Sequence, residues 1–222
     1  MNIVIDLGNS SLKVALFEKK KLVEKFIFTN YKFSDISNIF KKNSIQNSII
    51  SNVSNLDENI INFLKSNSNL ISINQTTNLL FTNLYKTKTS LGSDRVALVS
   101  AASLDFSNEN VLIIDAGTCI TYDFKNNKNE YLGGGISPGI KMRFKSLNKE
   151  TANLPLSTTN FNHKLIGNDT LSSINSGVIN GVVFEIEGVI NQYNDRFKNI
   201  KIILTGGDSN FFAQEDKKYH LC

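Results

Sequence analysis

The sequence predicts an α/β protein built from two similar halves, and three observations predict it. From Asn2 to Phe28 the chain alternates apolar and polar positions in three short runs before any helical spacing begins, so the order opens strand, strand, strand, helix. The segment "MNIVIDLGNSSLKVALF" is echoed about half the chain later by "NVLIIDAGTCITYDF". Both read as an apolar run, Asp, one further residue, Gly, a nearby hydroxyl and a second apolar run, the mark of an internal duplication. The three-strand opening argues against a purely parallel doubly wound sheet, in which strand and helix alternate from the start. The halves divide near residue 106, into lobes 1–105 and 106–222.

The elements follow in order. Strands are expected at Asn2–Leu7, Leu12–Phe17 and Leu22–Phe28, then a helix at Phe33–Lys42, a strand at Ser48–Val53, a helix at Leu56–Lys65 and a strand at Leu70–Ile73. In the second helix Ile60, Ile61 and Leu64 recur at helical spacing. A polar stretch containing Tyr85 precedes Gly92-Ser93-Asp94, which opens a helix carrying Val96, Leu98 and Val99; Ser93 or Asp94 is the cap. After the repeated strand–turn–strand come a strand at Tyr131–Ile136, a helix through Met142–Leu147 and a loop at Asn153–Lys164. A long helical region runs from Asp169 to Phe197, interrupted by Gly177, Gly181 and Gly188. A strand at Ile200–Leu204 ends in Thr205-Gly206-Gly207-Asp208.

Composition excludes several classes. With 41% hydrophobic and 20% charged residues, the 222-residue chain can bury a proper core and has no disordered signature. The net charge of +4 is mild, the lysines are scattered, and arginine is limited to Arg95, Arg143 and Arg196. No dense basic stripe marks a nucleic-acid partner. Cys119 and Cys222 form no CxxC or Cys/His cluster, which argues against structural zinc and a disulfide framework. Cys119 reads as a small core residue, and His163 and His220 as loop or surface residues. No run approaches the roughly 18 apolar residues of a membrane span, and no secretory leader opens the chain. A cytoplasmic protein is expected.

Four stretches carry chemistry, each with a plainer reading beside it. Asp6-Leu7-Gly8-Asn9-Ser10-Ser11-Leu12-Lys13 is either a hairpin whose Gly and Asn supply unusual backbone angles, or a phosphate cradle. In the second case backbone N–H groups, a serine hydroxyl and Lys13 meet phosphate oxygens. Asp6 would hold Mg²⁺ through water, since that ion takes few protein carboxylates. Neither GxxxxGK[ST] nor GxGxxG occurs. Asp115-Ala116-Gly117-Thr118 repeats the design, making Asp115 a candidate cation ligand and Thr118 a phosphate contact. Gly92-Ser93-Asp94-Arg95 is either a capped helix start or an acceptor site, in which Arg95 grips an anion and Asp94 takes the proton of a hydroxyl. Gly133-Gly134-Gly135-Ile136-Ser137-Pro138-Gly139 implies close approach by a ligand or another element. Gly206-Gly207 could line an adenosine pocket or turn the chain, and Asp169 or Thr170 could be a helix cap.

In their order these motifs, "DLGNSSLK", "GSDRVA", "IDAGTCITYD", "GGGISPG", "IGNDTLSSINSGVING" and "LTGGD", resemble the type III pantothenate kinases. That family belongs to the acetate and sugar kinase/heat-shock chaperone/actin superfamily of duplicated ribonuclease-H-like domains. The resemblance implies that Asp6 to Lys13 bind ATP phosphates and Mg²⁺, that Thr118 also contacts ATP, and that Asp115 ligates K⁺ or NH₄⁺. It implies that Asp94 is the proton acceptor, within a pantothenate site formed by Tyr85, Gly92, Ser93, Asp94, Arg95 and Thr170. It further implies a homodimer, with the glycine-interrupted helix near the interface, and 4′-phosphopantothenate as product on the way to coenzyme A. Ser10 stands where the family commonly has Thr, and Cys119 where it commonly has Ala. Two alternatives share the scaffold: a nucleotide-binding transcriptional accessory factor, and a kinase of another small hydroxy-acid.

Overall fold

The computed structural model describes residues 1–53, 57–74, 77–159, 164–215 and 220–221, with the backbone alone for 213–215 and 220–221. Leu56, the end of the predicted 153–164 loop including His163, Cys222 and the side chain of His220 lie outside the described residues. The chain forms two compact units: residues 1–79 with 86–100, and residues 80–85 with 101–222.

In the first unit the strands are β1 (Asn2–Leu7), β2 (Leu12–Glu18), β3 (Lys21–Phe28), β4 (Asn47–Asn52) and β5 (Asn69–Ser72). They lie in the order β3-β2-β1-β4-β5. The first three are antiparallel, while β4 and β5 run parallel to β1. Two-residue alternation puts Ile3, Ile5, Leu7, Leu12, Val14 and Leu16 on one face. There they bury against Ile36 and Ile39 of α1 (Phe33–Lys42) and Ile60 and Leu64 of α2 (Glu58–Asn67). The second helix starts later than its apolar spacing predicts because the Asp57 carboxylate accepts the Asn59 amide at 2.9 Å and caps it there.

The boundary at residue 100 falls inside α3 (Ser93–Asp105). The second unit contains β6 (Thr82–Asn83), β7 (Asn110–Ala116), β8 (Cys119–Lys125), β9 (Glu130–Pro138), α4 (Ile140–Lys149), α5 (Thr170–Arg196), β10 (Ile200–Thr205), α6 (Ser209–Glu215) and β11 (His220–Leu221). Its sheet runs β11-β10-β7-β8-β9-β6. Read from β9, this repeats the order of the first sheet with the same polarity, and β6 is added at the edge. The duplicated sequence is a duplicated topology. Leu112, Ile114, Tyr122 and Phe124 pack against Ile140, Phe144, Ile174, Val178 and Val182.

Strand β9 continues through Pro138 rather than stopping at Ile136. It pairs with β8 as far as Cys119↔Pro138, whereas β6 covers only Glu130 and Tyr131, so the missing N–H of Pro138 interrupts no ladder. The glycine run has its explanation here. A Cβ on Gly134 would fall 1.6 Å from the Tyr122 carbonyl oxygen, so the element that approaches is β8 itself. The long helix α5 passes through its three glycines unbroken and is capped by Asp169, which accepts the Ser172 amide at 2.9 Å. Among the described residues no helix is long and apolar enough to cross a membrane.

Candidate active site

The end of β1 carries Asp6 on the strand face opposite the buried Ile5 and Leu7. Across the hairpin its register partner is Lys13, and the two side chains form an ion pair at 3.4 Å. Residues 8–11 join the strands, closed by the Gly8 amide donating to the Ser11 carbonyl at 3.1 Å. Asn9 and Ser10 are exposed. Gly8 does not have positive φ, and a Cβ there would meet nothing nearer than the Ser11 oxygen at 3.7 Å. Among the described residues, neither backbone angle nor packing calls for glycine at this position. Leu7 and Leu12 bury their side chains in the core, leaving them only backbone groups to offer a ligand.

Strand β4 brings the start of α3 beside this turn. Ser51 is the β4 neighbour of Asp6, and Asn52 that of Leu7. The Ser93 hydroxyl lies 3.0 Å from that of Ser51 and accepts the Asn52 amide at 2.9 Å. Ser93 therefore fastens the helix start to the strand end. Asp94 accepts the Arg95 amide at 2.8 Å. Gly92 leaves room for the Asp94 carboxylate, whose Oδ1 would lie 2.4 Å from an added Cβ. Arg95 is buried.

In the second unit three chain ends converge around Asp115. Its β10 partner is Thr205, and Gly206, at φ +100°, packs where a Cβ would lie 2.4 Å from the Asp115 carboxylate. The Asp208 amide donates to the Ala116 carbonyl at 2.9 Å, and the Gly139 amide to the Thr118 carbonyl at 3.1 Å. Burial pushes the Asp208 carboxyl up, partly offset by the charge of Lys141. Thr118 is exposed at the tip of the turn. A carboxylate among backbone carbonyls is a donor set suited to a hard cation. Among the described residues no three His, Cys, Asp or Glu side chains gather to hold a metal on their own.

Tyr85 belongs to the second unit, whereas Gly92 to Arg95 belong to the first. Its ring stacks on that of Tyr131, centroids 6.0 Å apart. Thr170 begins α5 and lines a cavity in the second unit with Arg143, Leu154 and Ile174.

Arg143 is a residue that sequence reasoning passed over as one of three scattered arginines. Its guanidinium bonds Glu185 on α5, the Ser137 hydroxyl and, through Nε, the Pro138 carbonyl at 2.8 Å. Tyr122 donates to the same glutamate at 2.8 Å. Burial alone would raise the Glu185 carboxyl, but hydrogen bonds from Arg143, Tyr122 and Ser137 outweigh it and hold the group below the usual carboxylate range. This network fixes the Ser137–Gly139 turn that sits on Thr118.

A family model described as type III pantothenate kinase matches residues 2–192. A type III pantothenate kinase of Christiangramia forsetii is 49% identical over 215 residues, covering 96% of this chain and 88% of that protein. The solved structure of a Campylobacter jejuni protein assigned to the Baf family of transcriptional activators is 25% identical at a TM-score of 0.62, covering 99% of this chain and 90% of that one. A Sinorhizobium meliloti protein assigned as a 2-dehydro-3-deoxygalactonokinase shares the fold at a TM-score of 0.55 and 10% identity, covering 100% and 92%. Matched by the family model over most of its length, and sharing nearly half its residues with a relative of that family, the chain belongs to the type III pantothenate kinases.

Proposed function

We propose that this chain transfers the γ-phosphoryl group of ATP to the primary hydroxyl of pantothenate, giving 4′-phosphopantothenate for coenzyme A synthesis. The observation that carries the reading is the shared neighbour of the phosphate turn and the acceptor turn. Asp6 and Ser93 both flank Ser51 on β4, so the carboxylate of the DLGNSS turn and the helix start bearing Asp94 belong to one rigid strand end. Phosphoryl transfer asks a protein for positioning, charge neutralisation and a base.

Asp94 takes the hydroxyl proton, and Arg95 neutralises the substrate carboxylate. Gly92 and Ser93 shape the turn, the serine hydroxyl being held by β4; Tyr85 and Thr170 complete the substrate site. The Gly8 amide closes its own turn, so the phosphate donors are the amides of Asn9, Ser10 and Ser11, the serine hydroxyls and Lys13, with Leu7 and Leu12 contributing backbone alone. Mg²⁺, when bound, neutralises phosphate charge; Asp6 would hold it through water. Asp115 would ligate K⁺ or NH₄⁺, and Thr118 would contact ATP. The duplicated lobes are 1–105 and 106–222 as the sequence repeats, with residues 80–85 and 101–105 packed into the second compact unit. Two copies pair along the face of α5 that carries Gly177, Gly181, Phe184 and Gly188, where Phe184 is 58% exposed and a Cβ on any of the three glycines would meet no described residue within 4 Å. The enzyme works in the cytoplasm, without nucleic acid or membrane as partner.

The test is phosphopantothenate formation, followed by mass spectrometry, with Mg-ATP, K⁺ and pantothenate. Asp94→Asn is expected to lower kcat by about 10²–10⁴-fold, and Na⁺ in place of K⁺ to lower the rate of the wild type. No product from the wild type would overturn the reading and favour the regulator suggested by the Campylobacter neighbour. Full activity of the variant would remove Asp94 from its role.

A further inference from the structure

We infer that Asp123 and Tyr131 are positioning residues for pantothenate binding, acting through Tyr85. The inference rests on the reading of Tyr85 as a substrate contact. Three observations, all within the second unit, lead to it.

Asp123 is a fully buried carboxylate on β8, at 0% exposure, and the reaction proposed above makes no use of it. A buried charge without partners is costly, and this one is bonded from two sides. The Tyr131 hydroxyl donates to its Oδ1 at 2.6 Å and the Thr121 hydroxyl to its Oδ2 at 3.2 Å. Tyr131 is itself fully buried. Its short charge-assisted bond fixes the ring along its long axis, as a packed phenylalanine would not.

That ring is the surface on which Tyr85 rests. The two planes are 25° apart with centroids at 6.0 Å, while Phe81 meets Tyr131 edge-on at 5.8 Å. The backbone is tied as well: the Leu84 amide donates to the Tyr131 carbonyl at 3.0 Å, and the Tyr85 amide to the Asn83 side chain at 2.9 Å.

The third observation is Gly133. Its φ of +110° is a conformation that side-chain-bearing residues avoid, and a Cβ there would lie 3.4 Å from Tyr85 Cδ2. Tyr85 thus packs along β9, its ring on Tyr131 and its edge beside the bare backbone of Gly133. The first glycine of the GGG run contributes to seating an aromatic side chain, and the second to close strand pairing. Two chemically distinct constraints, a buried tyrosine–carboxylate bond and a positive-φ glycine, converge on one partly exposed tyrosine. Maintaining a ring in a fixed pose lowers the ordering cost of binding whatever stacks or hydrogen-bonds to it.

Tyr131→Phe removes the hydroxyl and keeps the ring. It is expected to raise KM for pantothenate about five- to tenfold, with KM for ATP within about twofold, in line with the loss of one buried hydrogen bond to a charged group. Gly133→Ala acts on Tyr85 directly, without touching the carboxylate, and should give the same split. Tyr85→Ala is the reference variant. If Tyr85→Ala raises KM for pantothenate but Tyr131→Phe and Gly133→Ala, each folded by circular dichroism, leave it unchanged or raise both KM values alike, the positioning role is overturned. If Tyr85→Ala itself leaves KM for pantothenate unchanged, the reading of Tyr85 as a substrate contact fails instead, and this inference falls with it.

Discussion

At the end of β1, Asp6 faces Lys13 across a hairpin in which a Cβ on Gly8 would meet only the Ser11 oxygen, at 3.7 Å, among the described residues. At the end of β7, Asp115 faces Thr121, and its turn is packed on one side by Gly139 and flanked on the other by Gly206. The two turns descend from one pattern and have parted in their surroundings. In the second, glycines at 139 and 206 are demanded by neighbouring backbone: a Cβ on Gly139 would lie 2.1 Å from the Gly117 carbonyl oxygen. Among the described residues, a Cβ on Gly8 would meet nothing nearer than 3.7 Å, and one on its counterpart Gly117 nothing nearer than 3.9 Å, so the turns differ in what packs around them and not in the turn glycine itself. Neither turn glycine is demanded by a close neighbour, and under the proposed function a phosphate approaching the backbone is what each would admit. The comparison sets an open first turn against a second braced by neighbouring backbone, and the roles proposed for Asp6 and Asp115 differ accordingly.

The sharpest way to break that assignment is to remove each carboxylate. Asp6→Asn should lower kcat/KM by about 10²-fold or more, with little change in melting temperature. Asp115→Asn should act mainly through a higher K⁺ concentration for half-maximal rate. Equal effects from both, with no change in K⁺ dependence, would erase the distinction.

Alanine at the glycines gives a second contrast, of intermediate size. Gly139→Ala must displace backbone and should cost about 1–3 kcal/mol of stability by thermal or urea unfolding. Gly8→Ala should stay within about 0.5 kcal/mol of the wild type, yet weaken ATP binding measured by calorimetry. The reverse pattern would make the first turn structural.

The smallest effect belongs to Lys13. Its ion pair with Asp6 is partly exposed, so Lys13→Ala should change stability by less than about 1 kcal/mol. Its larger consequence should be a raised KM for ATP. A stability loss well above that figure would mean that the pair braces the hairpin.

Much of this was legible in the sequence because it is local. Alternation in "NIVIDL" and "LKVALF" writes the strands directly, and the repeated Asp-x-Gly turns announce the duplication. Ser93 was legible as a cap candidate, but not as the stitch to Asn52, because that bond joins residues 41 apart. Tyr85 is placed in the substrate site by the family resemblance alone. Its ring packs on Tyr131, a pairing that no periodicity encodes, and β6 is too short to leave a pattern. The GGG run was read for a ligand or another element; the second explanation holds, since only the three-dimensional register brings the Tyr122 carbonyl against Gly134. The Arg143–Glu185 pair, 42 residues apart on two helices, carries no local signal at all.

The path of the chain between its two units has a consequence for anyone who would divide it. Residues 80–85 leave the first unit, add β6 to the second sheet, and hand the chain back before α3 carries it across again in mid-helix. A tandem gene fusion would need one passage; this protein makes three. No single cut yields two self-contained pieces, because a fragment ending at residue 105 takes β6 away from β9 and leaves Tyr131 without the aromatic neighbours Phe81 and Tyr85. What began as two copies has become, in its covalent wiring, indivisible.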